Sequence, residues 1–357
     1  MARVSRLLHE RAPVYFDEFR GMDVSATLVH GRQRRYSTIY RFELAAGDSR
    51  RRVFVKLRPA DSARSPRPRA TPAIAPGNAL ALYHDALRAT HDHFQALADP
   101  RFSAVRPLDF VPEIDALVME EAEGEQLWKL LRPASRLHPL ASVDLDDVLS
   151  NAGGWLREFH RIRPRHAVTT IHDGQAGFVE LLTALTDYLG ESLGEKAFFD
   201  RVAAKTRILA EGTLVEPLPL GLHFGDYGLT NVLVAPNARV TGIDMLANWC
   251  TPIYVDIAYF LTGIKTYRKQ IATQGLAFGR ERLAAFERQF LVGYFGRTSV
   301  PTREIRLFEV LRLLERWSGR LARNSRRSAA GRKLGLFVVN RFLRRTLGDL
   351  VRELEAS

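Results

Sequence analysis

A single cysteine stands in 357 residues, and that scarcity removes whole classes of chemistry. Cys250 has no second cysteine to pair with, so neither an intramolecular disulfide nor a CxxC zinc site can form, and a reducing compartment is the expected setting. Long hydrophobic runs are missing too. The opening stretch "MARVSRLLHERAPVYFDEF" breaks every apolar segment with a charge, unlike a signal peptide, and no later window approaches a membrane-spanning length. The expected location is the cytoplasm. Negative charge is the scarcer sign: 40 Asp and Glu face 52 Lys and Arg, a net +12. Such a field attracts nucleotides, acidic or phosphorylated sugars, nucleic acid and anionic lipid, and argues against a cationic small substrate.

What is present describes a folded protein. Apolar residues make up 46% of the chain and charged residues 26%, a balance that excludes intrinsic disorder. The length suits one large or two medium domains, and two lobes are expected. Residues 24–57 read as an antiparallel meander of three strands, "SATLVHG", "TIYRFELA" and "RRVFVKLRP", with turns at Gly31 and "AAGDS". Residues 58–78, rich in proline, alanine and arginine, read as a mobile surface loop. Helical spacing follows in "ALALYHDALRATHDHFQAL", whose histidines read as surface residues, and then a strand, "ALVMEEAEG", ends at Gly124. The expected division is a first lobe over residues 1–121 and a second, mainly helical, over 122–357. In the second, helices are expected over 144–162, with Asp144 as N-cap, over 177–193 and 196–211, and after residue 280. Strands are expected there only in "NVLVA" and "RVTGIDML".

The most informative stretch is "LHFGDYGLTNVLV", with Asp226 five residues ahead of Asn231, followed by "VTGIDML". It reads as a loop, a strand, a turn at Pro236 and Asn237, and a strand ending on Asp244. That hairpin would bring Asp226, Asn231 and Asp244 to one end: an acceptor for a hydroxyl proton and two hard oxygen ligands, the set used in magnesium-assisted phosphoryl transfer. Taken singly, such residues are commonly turn caps, and Lys56 on the alternating strand "VFVKL" is compatible with a solvated lysine.

"HFGDYGLTNVLV" with "GIDMLANWCTPIYVDIAYFL" resembles the aminoglycoside phosphotransferase and choline kinase family, which shares the protein kinase fold. The resemblance implies an α+β, bilobal architecture with an antiparallel-sheet N-lobe, a mainly helical C-lobe and the active site in the cleft between them. By it, Asp226 is the catalytic base, Asn231 and Asp244 are the magnesium ligands and Asp256 has a structural role. "VFVKLRP" is similar to the strand whose lysine grips the α- and β-phosphates, so Lys56 is implied as that anchor. "LVMEEAEGEQL" is similar to the hinge that meets adenine, which implies the backbone of Glu120, Glu121 and Ala122. "GGWLREFHRI", with His160, is similar to a helix of the family, and the likeness covers about residues 24–263. Three departures stand out. Phe224 occupies the family's histidine position, one residue after His223, and is expected to pack in its place. No GxGxxG follows the first strand, which leaves Ser37 and Thr38 to contribute at the phosphates. The helical glutamate that pairs with the lysine is replaced at best by Asp85.

ATP and Mg2+ are therefore the implied substrate and cofactor, and a small hydroxyl compound, neutral or anionic, is the expected acceptor. Beyond residue 300, Leu307, Leu311, Leu314 and Trp317 form a helical stripe with arginines expected on the opposite face. The runs "RNSRRSAAGRK" and "NRFLRR" suggest a surface for an anionic partner such as a lipid headgroup. Nucleic acid fits poorly, because the aromatics lie in the stripe rather than among the basic residues. The competing function is a scaffold of the same fold without catalysis, using that basic surface.

Overall fold

The computed structural model describes residues 2–33, 37–57, 68, 79–132, 145–163, 169–171, 174–247, 249–324 and 329–356. Apart from Pro68, the expected loop over 58–78 lies outside them, as do Asp144 and residues 325–328 of the basic runs. The described chain forms two compact units, the first from stretches ending at Glu123 and the second chiefly from Gly124 onward.

The first unit is built on a five-stranded antiparallel sheet, β1 (Ser25–Gln33), β2 (Thr38–Ala46), β3 (Ser49–Leu57), β5 (Pro107–Val111) and β6 (Ala116–Glu120), in the order β1-β2-β3-β6-β5. Alternation sends Phe42, Leu44, Val53, Val55 and Val118 to one face, where all are buried. The N-terminal helix α1 (Ala2–Tyr15) shares this core through Val4, Leu8, Ala12 and Tyr15. That helix is absent from the expectations, although its interrupting charges are the polar side of an amphipathic pattern whose apolar residues recur every third or fourth position. Helix α2 (Ala79–Leu97) spans the expected segment. Lys56, for which alternation alone does not separate a solvated lysine from a functional one, is half-buried with its Nζ 4.3 Å from the centroid of Tyr83 on α2. The helix's histidines 84, 91 and 93 are likewise half-buried rather than on the surface, His84 stacking on Phe110 at 6.3 Å.

The second unit is mainly helical: α3 (Leu127–Leu131), α4 (Asp146–His160), α5 (Gln175–Leu193), α6 (Lys196–Thr213), α7 (Tyr254–Lys265), α8 (Arg268–Ala272), α9 (Arg280–Phe295), α10 (Thr302–Asn324) and α11 (Ala329–Ala356). The hairpin of β10 (Val232–Val234) and β11 (Val240–Gly242) forms with the expected turn, but its second strand stops two residues before Asp244. It lies in a sheet of order β4-β11-β10-β7, with β4 (Phe102–Ala104) and β7 (Glu125–Gln126). A second small sheet, β8-β12-β9, joins Thr169–Thr170, Trp249–Pro252 and Leu220–Leu222. These extra strands have two to four residues each, too short to show an alternation.

Helices α4 and α9 cross at glycines. A Cβ at Gly293 would fall 1.9 Å from the Ser150 carbonyl oxygen, and one at Gly153 would fall 2.0 Å from that of Phe290. Backbone cannot yield as a side-chain tip can, so Gly293→Ala is expected to cost about 1–3 kcal/mol. Urea titration checks this, and an unchanged midpoint would refute the close crossing.

The leucine and tryptophan stripe of α10 is buried as expected. Its arginines are not all solvated: Arg306 is half-buried among Glu287 and Glu309, while Arg303 is exposed. On α11, Arg344 pairs with Glu195 at 2.6 Å, Arg345 donates to the Gln274 carbonyl and Arg352 pairs with Asp349. Of the expected anionic-partner surface, Arg344 and Arg345 are thus engaged within the chain, while Arg341 is exposed.

Candidate active site

The loop between β9 and β10 is held from below by one carboxylate. Asp256, in the first turn of α7 and 1% exposed, accepts the backbone N–H of Phe224 (2.7 Å) and of Gly225 (2.9 Å). His160 Nε2 and His223 Nδ1 each lie 3.3 Å from its oxygens. Burial alone would raise its pKa, but the adjacent histidines hold it well below the usual carboxylate range. Phe224 is fully buried against Tyr227, Phe159 and Trp155, with ring centroids at 4.9, 5.2 and 5.8 Å. It therefore packs as expected, while His223, the residue before it, makes the contact with Asp256.

Gly225 then turns the chain with φ of 88°, and a Cβ there would meet Leu246 at 2.5 Å. This turn presents Asp226. Beyond it the Gly228 N–H donates to the Asp226 carbonyl (2.7 Å) and the Asn231 N–H to the Gly228 carbonyl (2.8 Å), which winds Asn231 back toward Asp226. The Asn231 carbonyl accepts from Ile243 (2.9 Å), one residue before Asp244, which has a left-handed φ of 66°. Asp226, Asn231 and Asp244 are thereby brought together, Asp244 near enough to act on the Asp226 charge.

The side-chain amide of Asn231 donates through Nδ2 to the Asp226 carbonyl at 2.9 Å. That bond fixes the amide orientation and turns Oδ1 away as an acceptor. Burial raises the Asp226 pKa, and the repulsion of Asp244 adds to this, whereas Tyr259 and Arg312 pull it down. Sequence reasoning missed both of these neighbours. Tyr259, on α7, donates its hydroxyl to Asp226 Oδ1. Arg312, on α10, has its Cζ 3.6 Å from the Tyr259 ring centroid. A signal for Tyr259 existed, since it follows Asp256 by three residues and so lies on the same side of a helix. Arg312 is remote in sequence and gave none. Among the described residues no three His, Cys, Asp or Glu side chains converge as a metal cluster. Cys250, which burial makes harder to ionise, has none of the marks of a nucleophile.

No family model matches the chain, and no curated protein matches it in sequence. Solved structures do. A choline/ethanolamine kinase family protein from Mesorhizobium loti aligns over 98% of both chains with a TM-score of 0.53 and 13% identity. A choline kinase from Cryptosporidium parvum Iowa II aligns over 98% of this chain and 97% of its own, with a TM-score of 0.55 and 10% identity. A spectinomycin phosphotransferase, solved with ADP and spectinomycin, covers 98% of both with a TM-score of 0.53 and 12% identity. The fold is protein kinase-like. At these identities the likeness is one of fold, and it agrees with the family that the sequence motifs resemble.

In the kinase-like fold the remaining sequence candidates fall in the first unit. Ser37 is buried at the start of β2, beside Thr38. Asp85 is exposed on α2, two residues beyond the Tyr83 that Lys56 touches. The N–H of Glu120 donates to the Arg106 carbonyl (3.0 Å) and that of Glu121 to the Arg52 carbonyl (2.9 Å). Their carboxylates meet arginines, Glu121 with Arg41 at 2.7 Å and Glu120 with Arg51 at 3.5 Å. Ala122 follows, half-buried.

Proposed function

We propose that the protein transfers the γ-phosphate of ATP to a hydroxyl group of a small molecule. The observation that carries this is the orientation of Asn231. With its Nδ2 bound to the Asp226 carbonyl, its Oδ1 is left as an acceptor, and with the carboxylate of Asp244 it would make a pair of hard oxygen donors beside a second carboxylate, that of Asp226. Such a donor set fits Mg2+, and Asn231 and Asp244 would hold it. When bound, the ion neutralises charge on the phosphates.

The chain's own residues supply the rest. Asp226 orients the acceptor hydroxyl and takes its proton as the new O–P bond forms and the bond from phosphorus to ADP breaks. Tyr259, its pKa pushed up to about 12 by burial, stays protonated and donates to Oδ1. Oδ2 is then the oxygen for the acceptor. Asp256 fixes the backbone that carries Asp226, and Phe224 fills the aromatic core beneath it. Lys56 we assign as the phosphate anchor, with Glu120, Glu121 and Ala122 as the adenine hinge. The packing of Phe224 supports the enzyme over the scaffold, because the substitution leaves the Asp226 turn supported.

Melting curves with ATP, with and without Mg2+, test this. A ligand at about a hundred times its Kd stabilises the folded state by about 2.7 kcal/mol. A magnesium-dependent rise in Tm that Asp244→Ala abolishes is expected, and no shift under either condition would refute the reading.

A further inference from the structure

Lys56 stands in a row of side chains that crosses the sheet of the first unit. It lies directly opposite Ile39 on β2 and Leu117 on β6, and Leu117 lies opposite Phe110 on β5. Residues directly opposite on antiparallel strands share a face of the sheet. Here that is the face turned away from the core in which Val53 and Val55 pack with α1.

Helix α2 meets this row with two adjacent residues. Tyr83 meets Lys56, whose Nζ is 4.3 Å from the ring centroid, and His84 stacks on Phe110 with centroids 6.3 Å apart. In the order β3-β6-β5, Phe110 is two strands from Lys56, roughly 10 Å across the sheet. The helix is therefore pinned at a second point, and the position of Tyr83 does not depend on the lysine alone. Leu80, Tyr83 and Leu87, spaced by three and four residues, form its buried stripe, and Tyr83 is only 7% exposed. Asp85, the acidic candidate on the same helix, is two residues further on and so roughly 200° around the axis from Tyr83. Its side chain is 50% exposed, with Oδ1 3.8 Å from His84 Nδ1.

An ammonium within about 6 Å of an aromatic centroid is drawn to the ring face, more strongly where water is excluded. A lysine held in this way has already given up rotamer freedom that it would otherwise lose on meeting a ligand, and this prior ordering favours binding. We propose that Tyr83 is a positioning residue for nucleotide binding, its ring face holding the Lys56 ammonium in place as the phosphate anchor. The part expected of an acidic side chain on α2 thus falls to an aromatic one. This rests on the assignment of Lys56 made above.

Calorimetric titration of the full chain with ADP and Mg2+ tests the proposal, with the urea midpoint of each nucleotide-free variant as the folding control. Tyr83→Leu keeps an apolar side chain against the sheet but removes the ring, and the Kd for ADP is expected to rise roughly tenfold. Tyr83→Phe keeps the ring face and should bind within about twofold of the parent protein. Lys56→Met should itself weaken ADP binding, and adding Tyr83→Leu to it should cause no further loss, because the tyrosine acts through the lysine. A tyrosine that served only to pack the helix would cost the same affinity with or without Lys56. Should the urea control show Tyr83→Leu to be unfolded, Tyr83→Met takes its place with the same expectation. Parental affinity in Tyr83→Leu, a Tyr83→Phe as weak as Tyr83→Leu, or a full second loss in the Lys56→Met background would overturn the proposal. The underlying reading fails separately. No ADP binding by the parent protein refutes the phosphotransferase, and parental binding by Lys56→Met refutes the anchor, whereas a weakened Lys56→Met beside an unaffected Tyr83→Leu refutes only the role of Tyr83.

Discussion

Asp226→Asn is expected to lower kcat by about a hundredfold or more, the range for loss of a general base, while nucleotide affinity changes little. The asparagine keeps the shape of the side chain and can still accept the Tyr259 hydroxyl, so the turn at Gly225 and the bond from Asn231 to the residue 226 carbonyl survive. What disappears is the carboxylate that takes the proton. The metal donors Asn231 and Asp244 remain, and this separates the variant from Asp244→Ala, which is expected to weaken magnesium-dependent nucleotide binding itself. Steady-state kinetics beside ATP melting curves would distinguish the two. Turnover within a few fold of the parent protein would exclude Asp226 as the base. A pH profile adds a second signature. Burial raises the Asp226 pKa, so the base is lost to protonation at a higher pH than an ordinary aspartate would be. The acidic limb of kcat/KM should therefore lie at higher pH than an ordinary aspartate would give and vanish in Asp226→Asn.

Much of this site was legible because its signals are local. Asp226, Asn231 and Asp244 lie within one loop and hairpin, where turn residues and short apolar runs fix the geometry. The meander of the first unit was legible for the same reason, since β2 and β3 alternate cleanly and pair at a tight hairpin around Gly47. Three kinds of feature escaped. Helix α1 hid behind its charges, because its four buried residues are spread over four turns. Strands of two to four residues carry no period at all. Contacts made across the fold, such as Arg312 on Tyr259 or His160 on Asp256, depend on how helices pack and leave no mark in nearby sequence. Lys56 shows the limit from the other side: alternation put it on the correct face of β3, but only tertiary structure places Tyr83 there.

Asp256→Ala is expected to be the most damaging substitution for stability, at about 3–5 kcal/mol, the usual cost of removing one partner from a buried charged network. The loss has two sources. The N–H groups of Phe224 and Gly225 would keep their burial and lose their acceptor, at about 1–3 kcal/mol for each buried donor left unsatisfied. His160 and His223 would lose the carboxylate between them. For a unit of this size, the corresponding fall in Tm is on the order of 10 °C. The effect should also depend on pH with a definite sign. Because the native pKa of Asp256 is depressed, its contribution is fully present above the unfolded-state value near 4. It shrinks by about 1.4 kcal/mol per pH unit as the pH falls from there toward the native value. Urea denaturation of parent and variant at neutral pH and near pH 3 would measure this. The gap should be wide at neutral pH and narrower in acid. A gap below 1 kcal/mol at neutral pH, or one that widens in acid, would mean that Asp256 is not what holds the loop bearing Asp226 in place.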